Sequence, residues 1–214
     1  MKEITTEYLN HFFEKHEDLE YLRIPVVNAI DLLVETDRNN KILVCGNGGS
    51  AADSEHIAGE LLKAFMLKRK VSSEFRDKLK ELYGEEGGYI ADNLQQGVKC
   101  IPLTSFTAFN TAFLNDCEPD MLFAQLVNAL GVKEDVLIAI STSGNSKNVV
   151  FAAKVAKAMG LKVIAMTGES GGILKNYSDV LLNVPSHIVY NIQEYHLALY
   201  HLICMCVESE LFEL

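Results

Sequence analysis

The sequence predicts an α/β fold: a doubly wound, five-stranded parallel sheet flanked by helices, with N-terminal helices and a helical insertion. Three observations carry that expectation. Five short apolar runs, mostly rich in Val, Ile and Leu, recur along the 214 residues. Such continuous runs suit strands buried on both faces. Segments of helical periodicity follow most of them, and alternating β and α segments build a parallel sheet with helices on its faces. Two of the strand-to-helix junctions, Gly46-Asn47-Gly48-Gly49-Ser50 and Ser141-Thr142-Ser143-Gly144-Asn145-Ser146, are rich in glycine and hydroxyls.

Taken in order, two helical patterns open the chain at about 4–17 and 23–38. The strand candidates are Ile42–Cys45, Lys99–Leu103, Val136–Ser141, Val163–Thr167 and Val180–Val184. The second is the weakest, because Pro102 has no N–H to give a ladder. Helices are predicted at 50–66, 119–130, 146–159 and 188–210. Residues 67–97 break the rhythm and read as a surface insertion: a short helix at 73–83, a Gly-Glu-Glu-Gly-Gly turn, then a second short helix or loop. The whole chain, 1–214, is expected to form one domain.

Composition narrows the function. With 29 acidic against 19 basic residues the formal charge is −10, which disfavours a nucleic-acid surface. The opening segment is amphipathic and charged, not a signal peptide, and no apolar run approaches the ~20 residues of a membrane span. Five scattered cysteines, an odd number, fit a reducing cytoplasm. Cys204 and Cys206 sit on an apolar helix and read as core thiols.

Both glycine-rich loops fall at the carboxyl ends of strands, where open α/β sheets bind ligands. Glycine lets the backbone turn with its N–H groups exposed, serine adds donors, and the next helix presents its positive end. Each loop alone reads equally well as a tight turn with a capped helix; two at matching strand ends point to an anion cradle. The first is not a Walker A loop, and its loose GxGxxA pattern lacks an acidic ribose partner downstream. The second, with four hydroxyls and no lysine, suits a monophosphate. A third turn, Thr167-Gly168-Glu169-Ser170-Gly171-Gly172, reads as a plain βα turn near the same edge. On the helix after the first loop, His56 and Glu60 are i and i+4 and share a face, a spacing and donor pair that suit zinc. His196 reads as structural, and His11, His16 and His187 as surface residues.

The stretches CGNGGSAADSEHIAGEL, ISTSGNSKNV, MTGESGG and NIQEYHLALYH resemble the signatures of the sugar isomerase (SIS) domain family, and within it the phosphoheptose isomerases. The resemblance covers nearly all of the chain except about 67–97. It implies a five-stranded parallel sheet, a homotetramer with sites at subunit interfaces, and conversion of sedoheptulose 7-phosphate to D-glycero-D-manno-heptose 7-phosphate. It implies catalytic roles for Glu60 and His201. It implies sugar-phosphate contacts at Asn47, Gly48, Gly49, Ser50, Asp116, Ser141, Thr142, Ser143, Ser146 and Gln193. It also implies that His56, Glu60, Gln193 and His201 can bind one zinc ion per site.

The chemistry agrees with these roles. Moving a proton between C1 and C2 needs a base and an acid; a desolvated carboxylate and an imidazole both titrate near neutrality. Gln193 and His201, however, are eight apart, about 12 Å along a helix axis, so either both side chains stretch or a second subunit completes the set; Glu194, seven from His201, shares its face better. The family's Gly-Arg-Phe after the catalytic Glu is Lys63-Ala64-Phe65 here, and its Asp-Arg pair is Tyr190-Asn191. These changes bear on which sugar is used more than on the proton transfer. The competing reading is a non-catalytic SIS module that binds sugar phosphate or a replication initiator, which has no need of both Glu60 and His201.

Overall fold

The computed structural model describes residues 1–36 and 40–212. Its eight helices are α1 (Glu3–Lys15), α2 (Arg23–Thr36), α3 (Gly49–Leu62), α4 (Ser73–Asn93), α5 (Thr107–Asp116), α6 (Leu122–Leu130), α7 (Lys147–Ala158) and α8 (Val189–Leu211). The strands are β1 (Ile42–Cys45), β2 (Cys100–Pro102), β3 (Val136–Ser141), β4 (Lys162–Thr167) and β5 (Val180–Asn183), with four 3-10 turns between elements. The last two positions of the helix predicted at 23–38 lie outside the described residues. Among the described residues no helix is long and apolar enough to cross a membrane.

All five strands are parallel and lie in the order β2-β1-β3-β4-β5. Strand β1 is buried throughout, and its residues alternate between two cores. Ile42 and Val44 face the layer of α1, α2, α3 and α8, with Leu33, Ile57, Leu61 and Ile203; Leu43 and Cys45 face α6 and α7, with Phe123, Val149 and Ala153. Strands β3 and β4 alternate in the same way, so the sheet is apolar on both faces. Pro102 fits because β2 is an edge strand whose one ladder runs to β1.

The strand order reverses direction between β1 and β3. The chain leaving β1 enters α3 on one face; the chain leaving β3 enters α7 on the other. The crevice between them is where open α/β sheets hold ligands, and both glycine-rich loops open into it.

The charged segment before β2 folds as a helical hairpin. The expected five-residue turn shrinks to Gly84, which breaks α4 with φ 60°, and helix resumes through Gly87 and Gly88. Arg76 pairs with Asp92 across the hairpin. Helix α5 was not anticipated, and α3 stops at Leu62 instead of 66. Of the five free cysteines, Cys45, Cys100, Cys204 and Cys206 are buried and Cys117 is exposed.

Candidate active site

The two loops leave helix ends open. Neither α3 nor α7 has a side-chain cap at its N-terminus. Ser50 N and Ala51 N turn back to Asn47 O and Gly48 O (3.0 Å each) and Val149 N to Asn148 Oδ1 (3.0 Å), so the amides left to a ligand are those of the leading residues, Gly49, Lys147 and Asn148. The Asn47 and Asn148 amides exchange hydrogen bonds at 2.9 Å, tying the first loop to the start of α7. In the second loop, Ser141 Oγ donates to Ser146 Oγ (3.0 Å), and Asn145 N donates to Ser143 Oγ (3.1 Å). Thr142 and Ser146 are half-buried and Ser143 is exposed. In the first, Asn47, Gly48 and Gly49 are exposed while Ser50 is buried.

The third turn buttresses the second loop. Gly168 N donates to Thr142 O (2.9 Å), Leu174 N to Gly144 O (2.9 Å) and Ile173 N to Asn145 Oδ1 (2.9 Å). Gly144 has φ +66° and a Cβ there would lie 2.2 Å from Gly171 O, so only glycine allows this approach.

About one, two and three turns into α3, Asp53, His56 and Glu60 share a face, at i, i+3 and i+7. His56 Nε2 is 3.3 Å from Glu60 Oε1 and 3.5 Å from His201 Nε2 of α8. Lys63 Nζ stands 3.2 Å from Glu60 Oε2. The Tyr200 hydroxyl and His56 Nδ1 are hydrogen-bonded at 2.8 Å, which leaves His56 Nε2 facing Glu60 and His201. Phe65 covers His201, with ring centroids 5.6 Å apart. Glu60 is 9% exposed and His201 is half-buried. Desolvation lowers the His201 pKa, the neighbouring His56 lowers it further, and Glu60 opposes both, so the ring is neutral at pH 7. The sequence thus predicted a carboxylate beside an imidazole, and the fold brings them to one cluster.

Asp53 and Tyr200 were missed. Burial raises the Asp53 carboxyl pKa against the pull of the Tyr200 hydroxyl and His56, and its Oδ2 has no hydrogen-bond partner. The helical spacing with His56 and Glu60 was the available signal for Asp53; Tyr200 had none, because its partner lies on another helix.

Two predicted site residues stand apart within the chain. Gln193 packs on the first loop: a Cβ at Gly49 would fall 2.2 Å from its Nε2. Helices α3 and α8 run alongside in the same direction, so Gln193 meets Gly49 where His201 meets His56, and the eight-residue gap separates them. Asp116 is exposed at the end of α5, bonded to Asn115. Glu194 is exposed and outside the cluster. Among the described residues no group of three or more His, Cys, Asp and Glu side chains is placed to hold a metal ion. His56, Glu60 and His201 do not surround one point and Gln193 is held at the first loop, so the expected four-ligand zinc set is not assembled within one chain.

Of the histidines expected at the surface, His11 and His187 are exposed and His16 is half-buried, its ring 4.5 Å from that of Phe12; His187 Nε2 lies 2.6 Å from Glu169 Oε2. His196 is fully buried, with Nε2 donating to Thr167 O at 3.2 Å, and burial pushes its pKa down to about 4. The unfolded chain binds this proton below about pH 6.5 and the folded chain only near pH 4. Stability from this group is complete above pH 6.5 and falls as pH drops through that window, by about 3 kcal/mol in all. Denaturation at pH 7.5 and 4.5 is expected to show this loss in the wild type and a smaller one in His196→Gln; equal losses would rule it out.

A SIS domain family model matches residues 79–168. The chain is 40% identical to the phosphoheptose isomerase of Helicobacter pylori strain P12, over 96% of this chain and 94% of that protein. It is 39% identical to that of Aliarcobacter butzleri, over 97% of each. Among solved structures, the phosphoheptose isomerase GmhA of Neisseria gonorrhoeae superposes with a TM-score of 0.72 at 36% identity, covering 96% of this chain and 99% of that one. That of Francisella tularensis gives 0.75 at 31%, covering 98% and 100%. With its parallel five-stranded sheet and its loops at the strand reversal, the chain belongs to the phosphoheptose isomerase family of SIS-domain isomerases.

Proposed function

We propose that this isomerase converts sedoheptulose 7-phosphate to D-glycero-D-manno-heptose 7-phosphate. The observation that carries the reading is the Glu60–His56–His201 cluster, which α3 and α8 assemble about three turns along from the loop that opens α3. The phosphate sits on the second loop, at Ser141, Thr142, Ser143 and Ser146, with Asn47, Gly48, Gly49 and Ser50 contacting the sugar. Anchoring that end aims C1 and C2 at Glu60 and turns the encounter into a unimolecular step.

In the open-chain ketose, Glu60 removes a proton from C1 while the O2 carbonyl gains one through His201, giving an enediol. Glu60 then delivers its proton to C2 and His201 takes the proton of O1, leaving an aldehyde at C1. Atoms and charge balance, and both groups return to their starting states. A neutral imidazole suits this shuttle, since it can give and receive at adjacent oxygens. Lys63 Nζ, 3.2 Å from Glu60 Oε2, supplies a cation near the carboxylate, which Ala64, at the position of the family's arginine, cannot.

Within the same proposal, 1–214 acts as one cytoplasmic SIS unit in a homotetramer, where a second copy brings Asp116 and Gln193 to the site. The nitrogen and carboxylate donors of His56, Glu60 and His201 are of the kind zinc takes, and binding it would require these side chains to converge on one point, which they do not do as placed. The pairing of Glu60 with His201 favours an enzyme over a non-catalytic sugar-phosphate or initiator-binding module.

A panel of C5 to C7 ketose phosphates, with products identified by NMR and metal content determined on the same protein, tests the reading. Turnover is expected to be fastest with the C7 ketose. Turnover of a shorter sugar alone would overturn the substrate, and no turnover of any would overturn the activity.

A further inference from the structure

Arg69 and Glu208 form the one ion pair, among the described residues, with both side chains wholly withdrawn from water. Neither belongs to the catalytic cluster. Arg69 Nε donates to Glu208 Oε1 (2.6 Å), and its two terminal nitrogens donate to Leu61 O (2.7 Å) and Glu60 O (3.0 Å). Glu208 also accepts from the backbone amides of Phe65 (2.9 Å), Met66 (2.7 Å) and Leu67 (3.2 Å). Phe212 stacks on the guanidinium.

These bonds do the work of a helix cap. Helix α3 ends at Leu62 and Lys63 turns extended, without the glycine that commonly satisfies the last carbonyls. Arg69 supplies the donors for two of them. Glu208 collects the three amides of the segment that leaves the helix. Burying a charge pair rarely adds stability over an apolar pair of similar volume, whereas removing one partner is costly. The pair's value therefore lies in placement.

What it places is the catalytic end of both helices. Glu208 lies seven residues, or two turns, beyond His201 on α8. Arg69 holds the carbonyl of Glu60 itself, and the amides held by Glu208 include that of Phe65, whose ring covers His201. We infer that the Arg69–Glu208 pair is a positioning unit for the isomerisation, fixing the register of α3 against α8 and with it the separation of Glu60 from His201. This rests on the roles proposed above for those two residues.

The test is the double variant Arg69→Met/Glu208→Leu, with Arg69→Lys and Glu208→Gln beside it. The double variant is expected to unfold cooperatively at a lower midpoint, since the Glu60 carbonyl and three amides lose their partners, and its folded fraction to lose kcat about 100-fold, the cost of roughly 1 Å of misplacement. KM is expected to hold within about threefold, because the phosphate loops lie elsewhere. Arg69→Lys is expected not to restore kcat, since one ammonium cannot span three separated acceptors. Hydrogen exchange at Phe65, Met66 and Leu67 is expected to quicken wherever Glu208 is replaced. Wild-type kcat in the double variant, or a loss matching only the unfolded fraction, would overturn the inference. If the double variant does not fold, Glu208→Gln carries the same readings. If the wild type isomerises no sugar phosphate, the activity proposal fails instead, and unchanged amide exchange would still refute the clamp.

Discussion

Glu60→Gln is expected to lower kcat roughly a thousandfold or more, the upper range for removing a general base, while sugar-phosphate affinity stays within about threefold. Glutamine keeps the length and shape of the side chain. Its amide oxygen can still face Lys63, which stands 3.2 Å from Oε2 in the wild type. What it loses is the capacity to accept and return a proton. The phosphate-binding loops are untouched, so binding and turnover separate. Isothermal titration with sedoheptulose 7-phosphate and NMR-detected turnover check the two halves. A variant as active as the wild type would remove Glu60 from the mechanism.

Replacing Ser143 and Ser146 together with alanine should act in the opposite sense. The hydroxyls are proposed to donate to a dianionic phosphate, and bonds to charged groups contribute about 1.5–3 kcal/mol each. Ser146 also receives the hydroxyl of Ser141 at 3.0 Å, so removing it frees Ser141 to reorient and recovers part of the loss. The expected result is a KM about 100-fold higher with kcat nearly unchanged at saturation. The helix amides remain and keep a residual site. Unchanged affinity would show that the second loop does not hold the phosphate.

Strands β1, β3 and β4 were legible because each is a nearly continuous apolar run buried on both faces, whereas β2 carries Pro102 and β5 is half-buried at alternate residues. The site loops were legible because glycine and hydroxyl density at a strand end has few other uses. Helix α5 was not, since none of its residues is buried within the chain and its sequence lacks an N-terminal cap. The Gly-Glu-Glu-Gly-Gly stretch misled for a related reason. Gly84 makes the reversal, but Gly87 serves close packing: a Cβ there would strike Leu79 O. Helix α3 stopped early because its terminators, Arg69 and Glu208, come from outside it, Glu208 from 139 residues beyond Arg69. In the site, the His56–Glu60 pair followed from i,i+4 spacing. The Tyr200–His56 bond joins residues 144 apart, and no local pattern encodes it.

The central claim is geometric, and a crystal structure of the assembled Glu60→Gln variant with sedoheptulose 7-phosphate bound tests it most directly. The account predicts the phosphate on Ser141–Ser146 and the C1–C2 end lying between residue 60 and His201. Phosphate bound away from that loop, or residue 60 and His201 facing unconnected environments in the assembly, would contradict it.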